Sequence, residues 1–197
     1  MLDRWALAAV RPVIDRLANV LVRCGVGADT LTLAGFGLGL VAALAIALGH
    51  PMAGLPLLLA SRLLDGLDGA VARATRPTDR GAFLDITLDF VFYASIPLAF
   101  AVADPSAHAL PAAVLLAAFM GTGASFLAFA VMAERRGLSS AAYPSKGLFY
   151  QGGLTEGTET LLCFVLMCLW PTLVPGLALG YLAFNTEKPP FNNLAVR

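Results

Sequence analysis

The sequence predicts an all-α integral membrane protein with about six transmembrane helices, preceded by an N-terminal amphipathic helix lying at the interface. Three observations carry this expectation. Of the 197 residues, 58% are hydrophobic and only 13% are charged, whereas soluble domains carry about half apolar and about a quarter charged residues. The apolar residues are gathered into runs that mostly approach the ~20 residues a bilayer crossing requires. The Lys and Arg residues fall in alternate connections between those runs, as the positive-inside rule orders them. Thirteen bases balance thirteen acids, so no basic field favours nucleic acid. Cys24, Cys163 and Cys168 are scattered without CxxC spacing, which argues against a disulfide framework or a zinc site.

Residues 1–28 spread Arg4, Arg11, Arg16 and Arg23 among Trp5, Val10, Val13, Ile14, Leu17, Val20 and Leu21. That mixture fits a surface-lying helix better than a secretory signal with its uninterrupted apolar core. Asp29 and Thr30 are the expected N-caps of the first span, residues 31–48, which His50 and Pro51 end. The second span, about 53–71, contains Arg62, Asp65 and Asp68, with Arg73 just beyond. Ionisable groups at bilayer depth mark function by default, because each is costly there unless something compensates. The third span, 81–103, carries Asp85 and Asp89; the fourth, 108–133, is uncharged and is stopped by Glu134, Arg135 and Arg136. The fifth, 154–170, begins with Glu156 and Glu159. The sixth, 172–184, is too short for a comfortable crossing, and polar residues follow it. No repeat or linker divides the chain. The expected partition is an interfacial segment at 1–28, a membrane domain at 29–184 and a polar tail at 185–197.

The basic connections are the N-terminal segment, the turn with Arg73, Arg76 and Arg80, the segment with Arg135, Arg136 and Lys146, and the tail with Lys188 and Arg197. Six crossings put all four on one side, which the positive-inside rule makes cytoplasmic, together with both termini. Arg62 alone falls outside this pattern. His50 and His108 fall in loops on the opposite side and read as bystanders.

Asp65 and Asp68 are three residues apart, and Asp85 and Asp89 four apart across a turn containing Pro77. Helical spacing puts each pair on one face. Two helices joined by a short turn can therefore bring four carboxylates together near the cytoplasmic membrane surface, where they would repel strongly in a low dielectric. Divalent cations relieve such repulsion, and hard oxygen ligands suit Mg²⁺ or Mn²⁺. A site of this kind can hold two ions that clamp a diphosphate. Gly66, Gly69, Ala72 and Gly81 remove bulk around it, and Arg73 can make forked contacts to phosphate oxygens.

The pattern Asp65-x2-Asp68-Gly69-x2-Ala72-Arg73, then Gly81-x3-Asp85-x3-Asp89, resembles the signature of the CDP-alcohol phosphatidyltransferase family. The segments FLDITLDF (83–90) and GLTEGTET (153–160) resemble a bacterial branch of it. The resemblance implies a six-span enzyme of the inner membrane that joins a CDP-linked alcohol, here expected to be CDP-diacylglycerol, to a small alcohol acceptor in phospholipid synthesis, releasing CMP. It implies that Asp65, Asp68 and Asp85 bind a pair of Mg²⁺ or Mn²⁺ ions. Asp89 would complete the metal site and act as general base, and Gly69, Ala72, Arg73 and Gly81 would shape the cytidine diphosphate pocket. A homodimer is implied as well. Gly35 and Gly39 have the GxxxG spacing that permits close helix packing, and they read equally as a chance pair. Seven residues separate Arg73 from Gly81, fewer than the family more often has, which we read as a tolerated shortening of the turn.

The acceptor is less legible. Lys146, between Pro144 and Gly147, is the candidate for an acceptor phosphate, whereas Arg135 and Arg136 read first as topology signals. Glu156 and Glu159 are candidates for binding an acceptor or ordering the site, and read equally as part of a helix start with Thr155, Thr158 and Thr160. Two other functions use acids in membrane helices: a Mg²⁺-dependent prenyltransferase acting on an isoprenyl diphosphate, and a divalent-cation carrier. The Gly69-x2-Ala72-Arg73 element weighs against the first. The absence of acids from the fourth span weighs against the second.

Overall fold

The computed structural model describes residues 2–135 and 157–187. The chain runs through α1 (Leu2–Arg23), α2 (Ala28–Ala47), α3 (Pro51–Ala74), α4 (Asp79–Ala103), α5 (Pro105–Arg135) and α6 (Gly157–Leu169). A 3-10 turn at Pro171–Leu173 leads into α7 (Val174–Glu187), and there is no strand among the described residues. Among the described residues each expected apolar run corresponds to a helix, the sixth being entered through the 3-10 turn, and the N-terminal segment forms another.

Helices α2, α4 and most of α5, Pro105–Met132, are long and apolar enough to cross a membrane. Helix α3 has the length, 24 residues, but carries Arg62, Asp65, Asp68 and Arg73. Helices α6 and α7 are shorter, with 13 and 14 residues. Leu40, Val41, Leu44, Leu98 and Val102 stay exposed on the outer surface. Such apolar side chains suit a hydrocarbon solvent, in which helices also leave no backbone group unpaired.

Three local expectations change. Helix α2 starts from Gly27 without a side-chain cap, so Asp29 and Thr30 lie inside its first turn. The Asp29 carboxylate instead faces Arg80 at 3.6 Å, while still lying where the helix dipole favours an acid. His108, expected in a loop, is buried in the first turns of α5. Its Nδ1 lies 3.3 Å from Phe100 O and its Nε2 3.2 Å from Pro171 O, so it ties the end of α4 to the turn before α7. Helix α7 also runs on through Asn185 and Thr186 to Glu187, beyond the expected end at 184. Between α4 and α5, the Ser106 hydroxyl and the Ala107 N–H donate to Asp104, holding its carboxylate below the usual range.

Among the described residues, two buried clusters hold the helices together. The larger joins Ala42 and Ile46 of α2, Leu58 of α3, Phe92, Ile96 and Phe100 of α4, Leu115 of α5, Phe164 and Met167 of α6 and Val174 and Ala178 of α7. The smaller packs Ala18 of α1 with Leu31, Leu67, Ala70 and Val71, leaving Val13, Leu17 and Val20 exposed on α1. Helix α2 packs closely along both α3 and α4, whereas α3 and α4 approach each other far less closely. It can do so because its facing residues are small. A Cβ on Gly35 would lie 3.1 Å from Leu64 Cβ, and one on Gly39 would lie 2.6 Å from Phe92 Cδ2 and 2.9 Å from Ser61 Oγ. The GxxxG face is therefore used inside the chain.

Gly39 and Gly37 give a controlled comparison on one helix. Gly39→Val should destabilise the protein by about 1–3 kcal/mol, the usual cost of overpacking. Gly37→Ala, which meets nothing within 4 Å, should be neutral or stabilising by up to about 1 kcal/mol. Thermal unfolding in detergent checks both, and equal effects would contradict the packing described for α2.

Candidate active site

Helices α3 and α4 are joined by residues 75–78 alone. The turn is short because both ends are closed locally. Thr75 Oγ1 donates to Val71 O at 2.8 Å, and Thr78 caps α4 by accepting from the Gly81 N–H at 3.0 Å. The short Arg73–Gly81 spacing thus still leads from one intact helix into the next. With α2 packed along both helices, the site lies over α2 and between their facing side chains.

One carboxylate oxygen from each of Asp65, Asp68 and Asp85 lies within 4.8 Å of the other two. Asp68 is buried, Asp65 half-buried and Asp85 exposed, so the group opens toward Asp85. Thr32 Oγ1 of α2 donates to Asp68 Oδ2 at 2.5 Å, a charge-assisted bond that fixes the most buried acid. Asp89, one turn further along α4, is met by Arg62, whose Nη1 donates to Asp89 Oδ1 at 2.6 Å and lies 3.5 Å from Asp65 Oδ2. The guanidinium rests over the Phe92 ring, 3.8 Å from its centroid, with Tyr93 at 5.6 Å.

Among the described residues, Arg62 is the guanidinium paired within this group of four carboxylates, so acids outnumber bases at its centre. The donor set consists of hard oxygens without His or Cys, and the three grouped oxygens are close enough to share an ion. These residues fit Mg²⁺ or Mn²⁺. Around them, Arg73 folds back on its own helix: a Cβ on Gly69 would lie 3.2 Å from Arg73 Nη1. Gly81 sits where a Cβ would meet Thr78 Oγ1 at 3.1 Å and Asp29 Oδ1 at 3.2 Å. Its lack of a side chain therefore serves the turn as well as any ligand. Ala72 is half-buried and Arg73 exposed.

Of the acceptor candidates, Lys146 and Glu156 lie outside the described residues. Glu159 is in the first turn of α6. That helix starts beside the site, since a Cβ on Gly157 would lie 3.7 Å from Tyr93 Oη. Thr160 does not cap the helix; its hydroxyl pairs with Tyr181 Oη at 3.0 Å. The sequence reading missed Thr32, for which no local signal exists, and it left Arg62 without a role. Arg62 had a signal: a charge inside a span, three residues before Asp65, where helical spacing makes the two neighbours.

The sequence pattern of CDP-alcohol phosphatidyltransferases matches residues 26–185, nearly the whole helical region after α1. This chain belongs to the CDP-alcohol phosphatidyltransferase family. It is 50% identical over 171 residues to the inner membrane protein YnjF of Escherichia coli, covering 87% of this chain and 83% of that one. Over 81 residues, 40% of this chain and 42% of the relative, it is 47% identical to the archaetidylinositol phosphate synthase of Methanothermobacter thermautotrophicus. The fold is similar to that of the phosphatidylinositol phosphate synthase PgsA1 of Mycobacterium tuberculosis, solved with CDP-DAG bound. The TM-score is 0.64 at 22% identity, over 90% of this chain and 92% of that one. Membership makes the protein a membrane phosphotransferase acting on CDP-linked alcohols, and selects that reading over the prenyltransferase and ion-carrier alternatives.

The acid group makes a prediction that does not depend on turnover. Mn²⁺ titrated into the purified protein and followed by electron paramagnetic resonance should bind saturably, and Asp85→Asn should weaken binding by at least about tenfold through loss of a charged ligand. Unchanged affinity in Asp85→Asn would remove the grouped acids as the ion site.

Proposed function

We propose that this family member transfers the phosphatidyl group of CDP-diacylglycerol to the hydroxyl of a small alcohol, releasing CMP, at the cytoplasmic face of the bacterial inner membrane. The observation that carries the reading is the grouping of Asp65, Asp68 and Asp85 within 4.8 Å, with Arg73 over Gly69 on one side and Asp89 on the other. The bound CDP-DAG of the mycobacterial neighbour supports the donor. The name of the E. coli relative and the alternation of basic connections support the location and sidedness.

In this reading Asp65, Asp68, Asp85 and Asp89 hold a pair of Mg²⁺ or Mn²⁺ ions. Bound there, the ions supply charge neutralisation at the diphosphate and at the departing phosphate oxygen. Arg73 makes forked contacts to the diphosphate, and Gly69, Ala72 and Gly81 leave room for the cytidine and phosphates. Asp89 accepts the proton of the acceptor hydroxyl. The new oxygen–phosphorus bond forms at the phosphorus that stays with the lipid, and the bond from that phosphorus to CMP breaks. Lys146, Glu156 and Glu159 belong to the acceptor side. Assembly as a homodimer is part of the same proposal, through a surface other than the Gly35 and Gly39 face that α3 and α4 cover.

Incubating the purified protein with CDP-diacylglycerol, Mg²⁺ and single alcohols should give acceptor-dependent CMP release and a new phospholipid by mass. EDTA should abolish it, and Asp89→Asn should lower turnover by about 10²–10⁴-fold, the usual contribution of a general base. Turnover of a CDP-linked polar head group, with CDP-diacylglycerol inert throughout, would reverse the assigned direction of transfer.

A further inference from the structure

Arg62 has no part in the reaction as written, yet it is deeply built into the site. Only 10% of its side chain is exposed, and a guanidinium at that depth is costly unless its charge and donors are met. What meets them comes from α3 itself and from α4. Nη1 is taken by Asp89 and Asp65, and Nη2 donates to Ser61 Oγ at 3.4 Å. Ser61 in turn donates to Gly35 O of α2 at 2.7 Å. The guanidinium plane lies over Phe92, a ring seated against Gly39 where a Cβ would clash. Nε is buried and has no hydrogen-bond partner among the described residues. Each terminal nitrogen has a partner inside the protein, and the buried Arg62 is disposed differently from the exposed Arg73.

Clamped this way, the cation is the fixed member of its pair with Asp89. Among the described residues, Asp89 stands outside the group formed by Asp65, Asp68 and Asp85, and Arg62 engages it through Oδ1. We infer that Arg62 is a positioning residue: by holding Asp89 at Oδ1 it fixes the orientation of the carboxylate that receives the acceptor hydroxyl's proton. Its charge also offsets the repulsion among the acids until cations bind. The inference rests on Asp89 being the proton acceptor in the function proposed above.

The test uses the full chain as Arg62→Gln, Arg62→Lys, Asp89→Asn and the Arg62→Gln/Asp89→Asn double variant. The readouts are kcat, KM for CDP-diacylglycerol and Mn²⁺ affinity without substrate. Arg62→Gln should lower kcat by about 10²-fold while leaving KM within about threefold, since only the chemical step loses its aligned base. Mn²⁺ affinity should be retained or raised, because a competing positive charge has gone. Arg62→Lys keeps charge and stem but cannot reach the acids and Ser61 while lying flat on Phe92, and should lose about tenfold in kcat. It carries the test if Arg62→Gln does not fold. In the Asp89→Asn background, Arg62→Gln should cost less than about threefold more, because the two act as a unit. Near-normal kcat in either Arg62 variant with Asp89→Asn inactive would overturn the inference alone. So would an undiminished loss in the double variant, or Mn²⁺ affinity falling in step with kcat. Wild-type turnover in Asp89→Asn would instead remove the base assignment, and this inference with it.

Discussion

Mutual repulsion among Asp65, Asp68, Asp85 and Asp89 is the constraint on which the rest of this structure depends. Carboxylates this close in a weakly polarisable surround cannot all stay charged without compensation. The protein meets the problem unevenly. Asp68 is buried and takes a hydroxyl donor from Thr32, Asp89 takes the guanidinium of Arg62, and Asp85 faces solvent. One oxygen each of Asp65, Asp68 and Asp85 lies within 4.8 Å of the other two, close enough for a divalent cation to be shared.

Helix α2 supplies the floor for this arrangement, and its small residues explain how. Gly35 and Gly39 let α3 and α4 come against the same helix, so that Ser61 reaches the Gly35 carbonyl and Phe92 seats beside Gly39. Packing of an apolar helix thereby fixes the position of a charged group two side chains away. Phe92 also belongs to the ring cluster with Tyr93 and Phe164, and Phe119 and Tyr181 extend it. The core of the bundle and the cationic clamp of the site are one continuous contact network, so a packing change on α2 reaches Arg62 through Phe92 or Ser61.

Much of this was legible in the sequence because it is periodic. Spacings of three and four residues put each Asp pair on one helix face, and the apolar runs marked each helix to within a few residues. Contacts between helices were less accessible. Thr32 stands 36 residues from Asp68, and Arg62 lies 27 from Asp89, separations over which no local period operates. The Asp29 cap failed for the same reason, since a partner on α4, Arg80, engages its carboxylate. His108 looked like a loop residue because the two carbonyls beside it, Phe100 and Pro171, come together only once the bundle is closed. The shortened turn before Gly81 was readable as a departure from the family pattern, and Thr75 and Thr78 close the helix ends on either side of it.

The central claim is a division of labour among four acids around a cation, with Arg62 assigned to one of them. Anomalous diffraction from crystals grown with Mn²⁺ and CDP-diacylglycerol would test it most directly. An anomalous peak is expected within coordination distance of Asp65, Asp68 and Asp85, with the cytidine diphosphate beside it and Arg62 still bound to Oδ1 of Asp89. A donor bound with no Mn²⁺ at those three carboxylates, or Arg62 swung off Asp89 onto the diphosphate, would contradict it.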